Sequence, residues 1–476
     1  MKKMKARSPL RRSLTLITIA GCLAMAYVAG TTSPAFIQFM RTIGATDAHF
    51  GLLAGIPMVM LSMQFLGAVI TNVIPRRKPL FMVLVILGRF LYVPLAVAPA
   101  VFPALRGASG VAYVGVLLAI AGALMNITGP LWLSWMADLI PRRVLNSYWG
   151  GRQRWMYLTW TASYVAVAAF VSFARMPITV TFPVLATIAA VAGIVDIVLF
   201  VWVPEPPNVV MHGKPIVETM LAPLRSKEYR PFVVYSCAWS ASAMFAAAFM
   251  QVYALKVLGL TVWQTTLIWC ATGVGVALMS SYWGDLADRH GHRPILAICM
   301  GLKSLIVLAF LISTPGTALW ILPAVLLFDS VWDSGLMIAS NGYMLKIAPR
   351  ANRSMFIAAI TGLAGICGGL GAMAGGAFLK ATAGFHIEAL GRVWTNYHCL
   401  FLLNILMRLG CIALAHRVHE PKAAAPDQLL HVLRGSWPMR FLLFPVGMYR
   451  RLDMQRASFF RGIGAAMASV QQVERE

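Results

Sequence analysis

Asp329 and Asp333 stand four residues apart in Leu326-Leu327-Phe328-Asp329-Ser330-Val331-Trp332-Asp333-Ser334. That spacing puts both carboxylates on one face of a helix. Two carboxylates so close repel when both are ionised, so one of them tends to hold a proton, which is the chemistry that couples a movement to a proton gradient. Lys303 and Arg408, each deep in an apolar run, are the cations available to them, and a structural ion pair is the alternative role for the four.

The pair sits near the middle of an apolar run at 317–347, and that run is one of many. With 59% hydrophobic residues, 12% charged residues and a mean hydropathy of +0.74, a soluble chain of 476 residues would have more apolar surface than one core could hide. Polar breaks divide the sequence into twelve spans, at 13–40, 49–73, 80–103, 110–139, 152–174, 178–203, 231–258, 263–283, 295–313, 317–347, 354–383 and 397–416. Each approaches or exceeds the ~20 residues that cross a hydrocarbon core. None alternates with the two-residue period of a barrel strand, and lipid offers the backbone no hydrogen bonds, so an all-α integral membrane fold of twelve transmembrane helices is expected. An ionised carboxylate at the depth of Asp329 costs about 2.5–3.5 kcal/mol on insertion scales, so both acids must face protein or a wet cavity.

The net charge of +24 would suggest a nucleic-acid partner in a soluble protein, but here the basic residues are sorted by side. The amino terminus, Arg76-Arg77-Lys78, the loops after spans 4, 6, 8 and 10, and the C-terminal segment carry most of them, while Arg41, Arg106, Arg175, Lys256, Lys380 and Arg392 fall on the other side. The bias places both termini in the cytoplasm of an inner-membrane protein and argues against nucleic acid. The basic start followed by an apolar run reads as span 1 and not as a cleaved leader. Seven scattered cysteines indicate neither a disulfide framework nor a metal site, and no cofactor is expected.

The longest internal polar stretch separates the spans six and six, giving an N-terminal bundle at 1–203, a linker at 204–230, a C-terminal bundle at 231–416 and a basic amphipathic tail at 417–476 suited to an anionic membrane surface. The halves are weakly similar. Leu139-Ile140-Pro141-Arg142 matches Ile347-Ala348-Pro349-Arg350 at an offset of 208 residues, and Lys78-Pro79 matches Arg293-Pro294 at 215. Two pseudo-symmetric six-helix bundles follow.

Residues 284–294 read Gly-Asp-Leu-Ala-Asp-Arg-His-Gly-His-Arg-Pro between spans 8 and 9. Gly284, Asp288, Arg289, Gly291 and Arg293 occupy the fixed positions of a loop signature, so the chain resembles the major facilitator superfamily of transporters. The resemblance implies that this loop latches the cytoplasmic side shut, with Asp288 at the start of span 5 near Tyr148 to Arg152 and both glycines allowing close approach. The equivalent loop after span 2 keeps only its basic end.

The resemblance also implies that spans 1, 4, 7 and 10 line a central cavity. Their polar and aromatic residues are then candidate lining groups: Tyr27, Thr31, Thr32 and Gln38; Asn126, Thr128 and Trp132; Trp239 and Gln251; Trp332 and Asn341. Pro34 would free backbone carbonyls toward that cavity. Arg89 and Lys303 fall in spans that are peripheral in the family and read as bracing or snorkelling groups, Asp196 as a terminating or locally paired residue, and Trp135 and Asp138 as boundary residues. The seven glycines of span 11, from Gly362 to Gly376, suit either a sliding gate or close static packing.

The expected function is a monomeric secondary transporter moving a small organic solute with a proton or other coupling ion by rocker-switch alternating access. No Walker-type loop supports ATP drive. Span 5 has neither glycine nor proline from 154 to 174, and span 4 lacks an embedded arginine, unlike drug exporters, which favours uptake or exchange. The competing readings are a non-transporting sensor on the same scaffold and an intramembrane prenyltransferase, whose Asp-x-x-x-Asp motif holds Mg²⁺ and a diphosphate.

Overall fold

Twelve apolar runs become twelve helices long enough to cross a bilayer. The computed structural model describes residues 9–141, 145–208, 224–347, 353–389, 392–418 and 420. The spans are α1 (Leu10–Thr42), α2 (Asp47–Val73), α3 (Lys78–Val101), α4 (Ala108–Leu139), α5 (Gly151–Phe173), α6 (Ile178–Trp202), α7 (Arg230–Lys256), α8 (Val262–Ser280), α9 (Arg293–Ile312), α10 (Ala318–Met344), α11 (Met355–Ala381) and α12 (Asn396–Ala415). Helical turns run on beyond the apolar part where charged residues follow it: α5 begins at Leu145 and α8 continues to His290. Most of the 204–230 linker and the tail beyond Glu420 lie outside the described residues.

The helices form two six-membered sets. In the first, α1 packs on α5 and α6, and α3 on α4 and α6; in the second, α7 packs on α11 and α12, α8 on α10, and α9 on α10 and α12. The sets meet where α2 lies along α11 and where α5 lies along α8. The basic loops, including Arg77 and Arg293, share one end of the bundle with the start of α1; this end is called the basic face and its counterpart the opposite face. A short antiparallel hairpin on the opposite face, β1 (His386–Ala389) and β2 (Arg392–Thr395), adds the only strands among the described residues to an otherwise all-α fold.

Glycine sets how closely α2 and α11 approach. A Cβ on Gly51 would come within 2.6 Å of the Ala372 carbonyl oxygen, and one on Gly55 within 2.7 Å of the Gly369 carbonyl. On the other side of α11, Gly368, Gly371 and Gly375 leave room for Ser240, Ala241 and Phe245 of α7. Backbone meets backbone, as expected where dispersion rather than the hydrophobic effect holds helices together in lipid.

The α1 break is packed on α6. Thr32 and Pro34 flank an interruption at Ser33, but Ser33 and Pro34 are buried, Gly30 backs onto Ala189 of α6, and Phe36 and Phe39 pack on Phe182. The kink packs α1 against α6.

Candidate functional site

Lys303 projects from α9 into the one-turn interval between Asp329 and Asp333 on α10. Its ammonium nitrogen lies 3.0 Å from both Asp329 oxygens and 2.9 Å from Asp333 Oδ1. The three donors of the lysine are thereby spent on two carboxylates. Arg408, buried on α12, does not pair directly with either acid. Its guanidinium donates to the Lys303 carbonyl at 3.2 Å and stacks over Trp239 of α7 at 5.5 Å. When all four groups are ionised the cluster is neutral, which answers the cost of placing charge at this depth. The Asp329 side chain is 21% exposed and that of Asp333 50%, so Asp333 is the member open to a solute or water. Trp283 of α8 braces the site from behind by donating to the Val331 carbonyl at 2.8 Å and filling the space beside Gly335.

Engagement of both carboxylates by Lys303 also bears on the Asp-x-x-x-Asp reading. A metal there would have to displace the ammonium, and no cluster of three metal-ligating side chains occurs among the described residues.

The candidate lining residues divide. Tyr27, Thr31, Thr128 and Trp332 are buried within the helix sets. Tyr27 packs edge-on to Tyr92 and under the Arg89 guanidinium, Thr31 and Thr128 hydrogen-bond to carbonyls of their own helices, and Trp332 is held between Trp283 and Phe328. Thr32 and Asn341 are exposed, and Gln38, Asn126, Trp132, Trp239 and Gln251 half-buried. Asn126 accepts from Gln64 of α2 at 3.4 Å, and Tyr164 of α5 donates to the Thr32 carbonyl of α1 at 3.4 Å.

Arg89 does not snorkel. It turns inward from α3 to pair with the buried Asp196 of α6 and donates to the Gly193 carbonyl. Trp135 is fully buried and donates to the Pro204 carbonyl at 3.0 Å, and Asp138 pairs with Arg77 at 2.6 Å, so neither is a plain boundary residue.

Arg77 and Asp138 belong to a motif that the sequence reading overlooked. At the start of α3, Glu205 accepts from the backbone N–H of Lys78 at 3.1 Å and lies 3.7 Å from the fully buried Arg77 guanidinium. At the start of α9, Glu420 accepts from the N–H groups of His292 and Arg293 at 2.8 Å each, from His292 Nδ1 at 3.0 Å and from Lys346 at 2.8 Å. Both carboxylates satisfy helix-start donors and face the positive end of a helix dipole. The signal was present: Val203-Pro204-Glu205-Pro206 and Val418-His419-Glu420-Pro421 recur at the same 215-residue offset as Lys78-Pro79 and Arg293-Pro294.

Burial by itself would raise the Glu420 pKa, but the donors from His292, Lys346 and the two backbone groups hold it at about 2, against an ordinary 4.5. A depressed carboxylate stabilises the fold fully above its unfolded pKa and loses that contribution as pH falls through the folded value. Thermal stability of the detergent-solubilised protein is therefore expected to drop between pH 5 and pH 2. Glu420→Gln should be less stable at neutral pH and should flatten that drop; an identical pH profile in the variant would refute the assignment.

Of the loop signature, Gly284 lies within the extended α8 helix, and no atom among the described residues comes within 4 Å of its would-be Cβ. Gly291 ends that helix at φ +84°, a conformation favouring glycine. Arg293 opens α9, where its N–H is one of the two held by Glu420. The side chains of Asp288 and Arg289 lie outside the described residues. Tyr148 and Arg152 of α5 pack on α1 and α4: Tyr148 donates to the Leu14 carbonyl, and Arg152 lies over Trp132.

On the opposite face the two sets are clasped. Asp47, at the start of α2, is 2.7 Å from Lys256 at the end of α7 and accepts from the Tyr397 hydroxyl of α12 at 2.7 Å.

The profile of the Major Facilitator Superfamily matches residues 16–376 and, in an overlapping second match, 271–448. Among solved structures, the chain is similar to a point mutant of the nucleoside transporter NupG, with 13% identity, coverage of 86% of this chain and 100% of that one, and a TM-score of 0.66. Unmutated NupG gives 12% identity, 87% and 99% coverage and a TM-score of 0.60. A POT family transporter in complex with a thioalcohol-conjugated peptide gives 14%, 86% and 97% coverage and 0.62. No curated protein sequence matches.

Proposed function

Because the chain belongs to the major facilitator superfamily, a superfamily of membrane transporters, we propose that it is a secondary transporter carrying a small organic solute by rocker-switch alternating access, with protonation of the Asp329–Asp333 pair as the coupling event. The observation that carries this reading is the charge-balanced cluster with one half-exposed acid. A proton on Asp333 leaves Lys303 and Arg408 with one uncompensated positive charge in a low-dielectric site. That imbalance changes the relative stability of conformers differing in how wet the site is, which is the requirement for coupling.

The division at 1–203, 204–230, 231–416 and 417–476 is part of the proposal, as is an inner-membrane location with the basic face in the cytoplasm and a monomeric state. The Asp47 clasp then closes the periplasmic side, and the glycine contacts of α2 with α11 give the halves a surface over which to tilt. Solute-driven alkalinisation or acidification inside proteoliposomes, followed with a trapped pH dye, tests the reading. A panel beginning with nucleosides and short peptides is the natural start, since the matched structures are of nucleoside and peptide transporters. A solute that is carried with no proton movement at any pH would remove the coupling mechanism.

The clasp supplies its own test. Spin labels at Thr42 and Glu388, in a chain cleared of its seven cysteines, are expected to show a longer distance component in Asp47→Ala than in the parent. An unchanged distribution would mean that Asp47 is not a gate.

A further inference from the structure

Arg152 is a half-buried cation with no carboxylate of its own among the described residues. Arg77, Arg89, Lys303 and Lys346 each contact an acid, and Arg408 sits within the Asp329–Asp333 cluster. Arg152 makes no ion pair and no hydrogen bond among the described residues, and its Nε is buried without a partner. Asp196, on α6, is already engaged by Arg89.

What surrounds Arg152 is aromatic. Its guanidinium lies 5.2 Å from the Trp132 ring of α4 and 5.2 Å from the Trp149 ring at the start of α5. The two indoles meet edge to face at 5.5 Å, and Tyr148 adjoins Trp149 at 5.8 Å. The wall of α1 is cut back to admit the cation: a Cβ on Gly21 would stand 2.8 Å from Arg152 Nη2. Indole faces attract a cation but accept none of its N–H hydrogen bonds, so Nε is left buried without a partner and the rest of the donor edge makes no bond to protein among the described residues. An oxyanion presented edge-on would satisfy it in the two-pronged geometry that arginine favours, while the flat rings would hold a planar apolar group beside it.

We propose that Arg152, with Trp132, Trp149 and Tyr148, is a binding subsite for an oxyanion, a carboxylate or phosphate, borne by the transported solute next to an aromatic or similarly flat group. This rests on the transporter reading above, in which α1, α4 and α5 all belong to the N-terminal half and the coupling acids to the C-terminal half. Solute charge is read in one half and the proton in the other.

The same oxyanion chemistry could come from an anionic lipid headgroup, and the test separates the two sources. Full-length protein in a neutral detergent is titrated with benzoate, indole-3-acetate and phenyl phosphate against chloride at matched ionic strength, following thermal stability and tryptophan fluorescence. At least one probe is expected to stabilise the parent and to quench its fluorescence, with a half-maximal concentration raised tenfold or more in Arg152→Gln and unchanged in Lys380→Gln, which removes an exposed cation at the end of α11. Should Arg152→Gln fail to fold, Arg152→Lys keeps the charge but loses the fork, and the same weakening is expected of it. Equal titrations in the parent and the Arg152 variants, or no response to any probe, would overturn the proposal. So would stabilisation by phosphatidylglycerol over phosphatidylcholine nanodiscs that depends on Arg152 while the soluble probes do nothing. Because binding is read without transport, undiminished proton coupling in Asp333→Asn would strike the coupling reading and leave this subsite standing.

Discussion

Asp333→Asn is expected to abolish solute-coupled proton movement, lowering it at least tenfold, while exchange of solute for solute across the same membrane persists. The variant preserves the shape of the side chain and removes its ability to ionise, so Lys303 keeps Asp329 and loses the charge of its second partner. The cluster is then fixed in the charge state that a proton would produce. Because Asp333 is the half-exposed member, its loss should leave the fold largely intact. Asp329→Asn is the harsher change: Asp329 accepts two of the three Lys303 contacts and is the more buried acid, so coupling and stability should fall together. Proteoliposome assays of both variants decide the matter, and undiminished proton flux in Asp333→Asn would remove the acid from the mechanism.

Breaking the Arg89–Asp196 pair should produce the largest loss of stability of any single change considered. Asp196 is 1% exposed, and apart from Arg89 neither of its oxygens has a hydrogen-bond donor. Arg89→Met would leave an uncompensated carboxylate between α1, α3 and α6, and removal of one partner from such a pair costs about 3–5 kcal/mol. Asp196→Leu should cost less, because Arg89 retains the Gly193 carbonyl and the Tyr27 ring. Replacing both together removes both charges, and the double variant should recover most of the loss. Thermal unfolding of the four proteins in detergent forms a double-mutant cycle. Simple addition of the two single losses would show that the pair contributes nothing as a pair.

The spans were legible because hydropathy and length alone define them, and the coupling of Lys303 to Asp329 and Asp333 was among the roles available from depth and spacing. Direction around a helix was not. Tyr27, Thr31, Thr128 and Trp332 lie on helices with a hydrophobic neighbour on every side, so the sequence carries no polar stripe to tell a cavity wall from a helix contact. Trp135 misled for a related reason: a tryptophan near a helix end suits the membrane boundary, and only the Pro204 carbonyl reveals that it points inward. The Val-x-Glu-Pro repeat was readable but fell at the edges of the spans, where polar residues are ordinarily taken as loop.

Glu420 lies beyond the last turn of α12, yet its carboxylate secures the beginning of α9 and anchors Lys346. A shortened chain ending at His416 would keep every membrane helix and still lose an acceptor for four donors. Trimming from the carboxyl end thus starts to cut into the folded body before any hydrophobic segment is touched, and the shortest stable version of the protein must retain position 420.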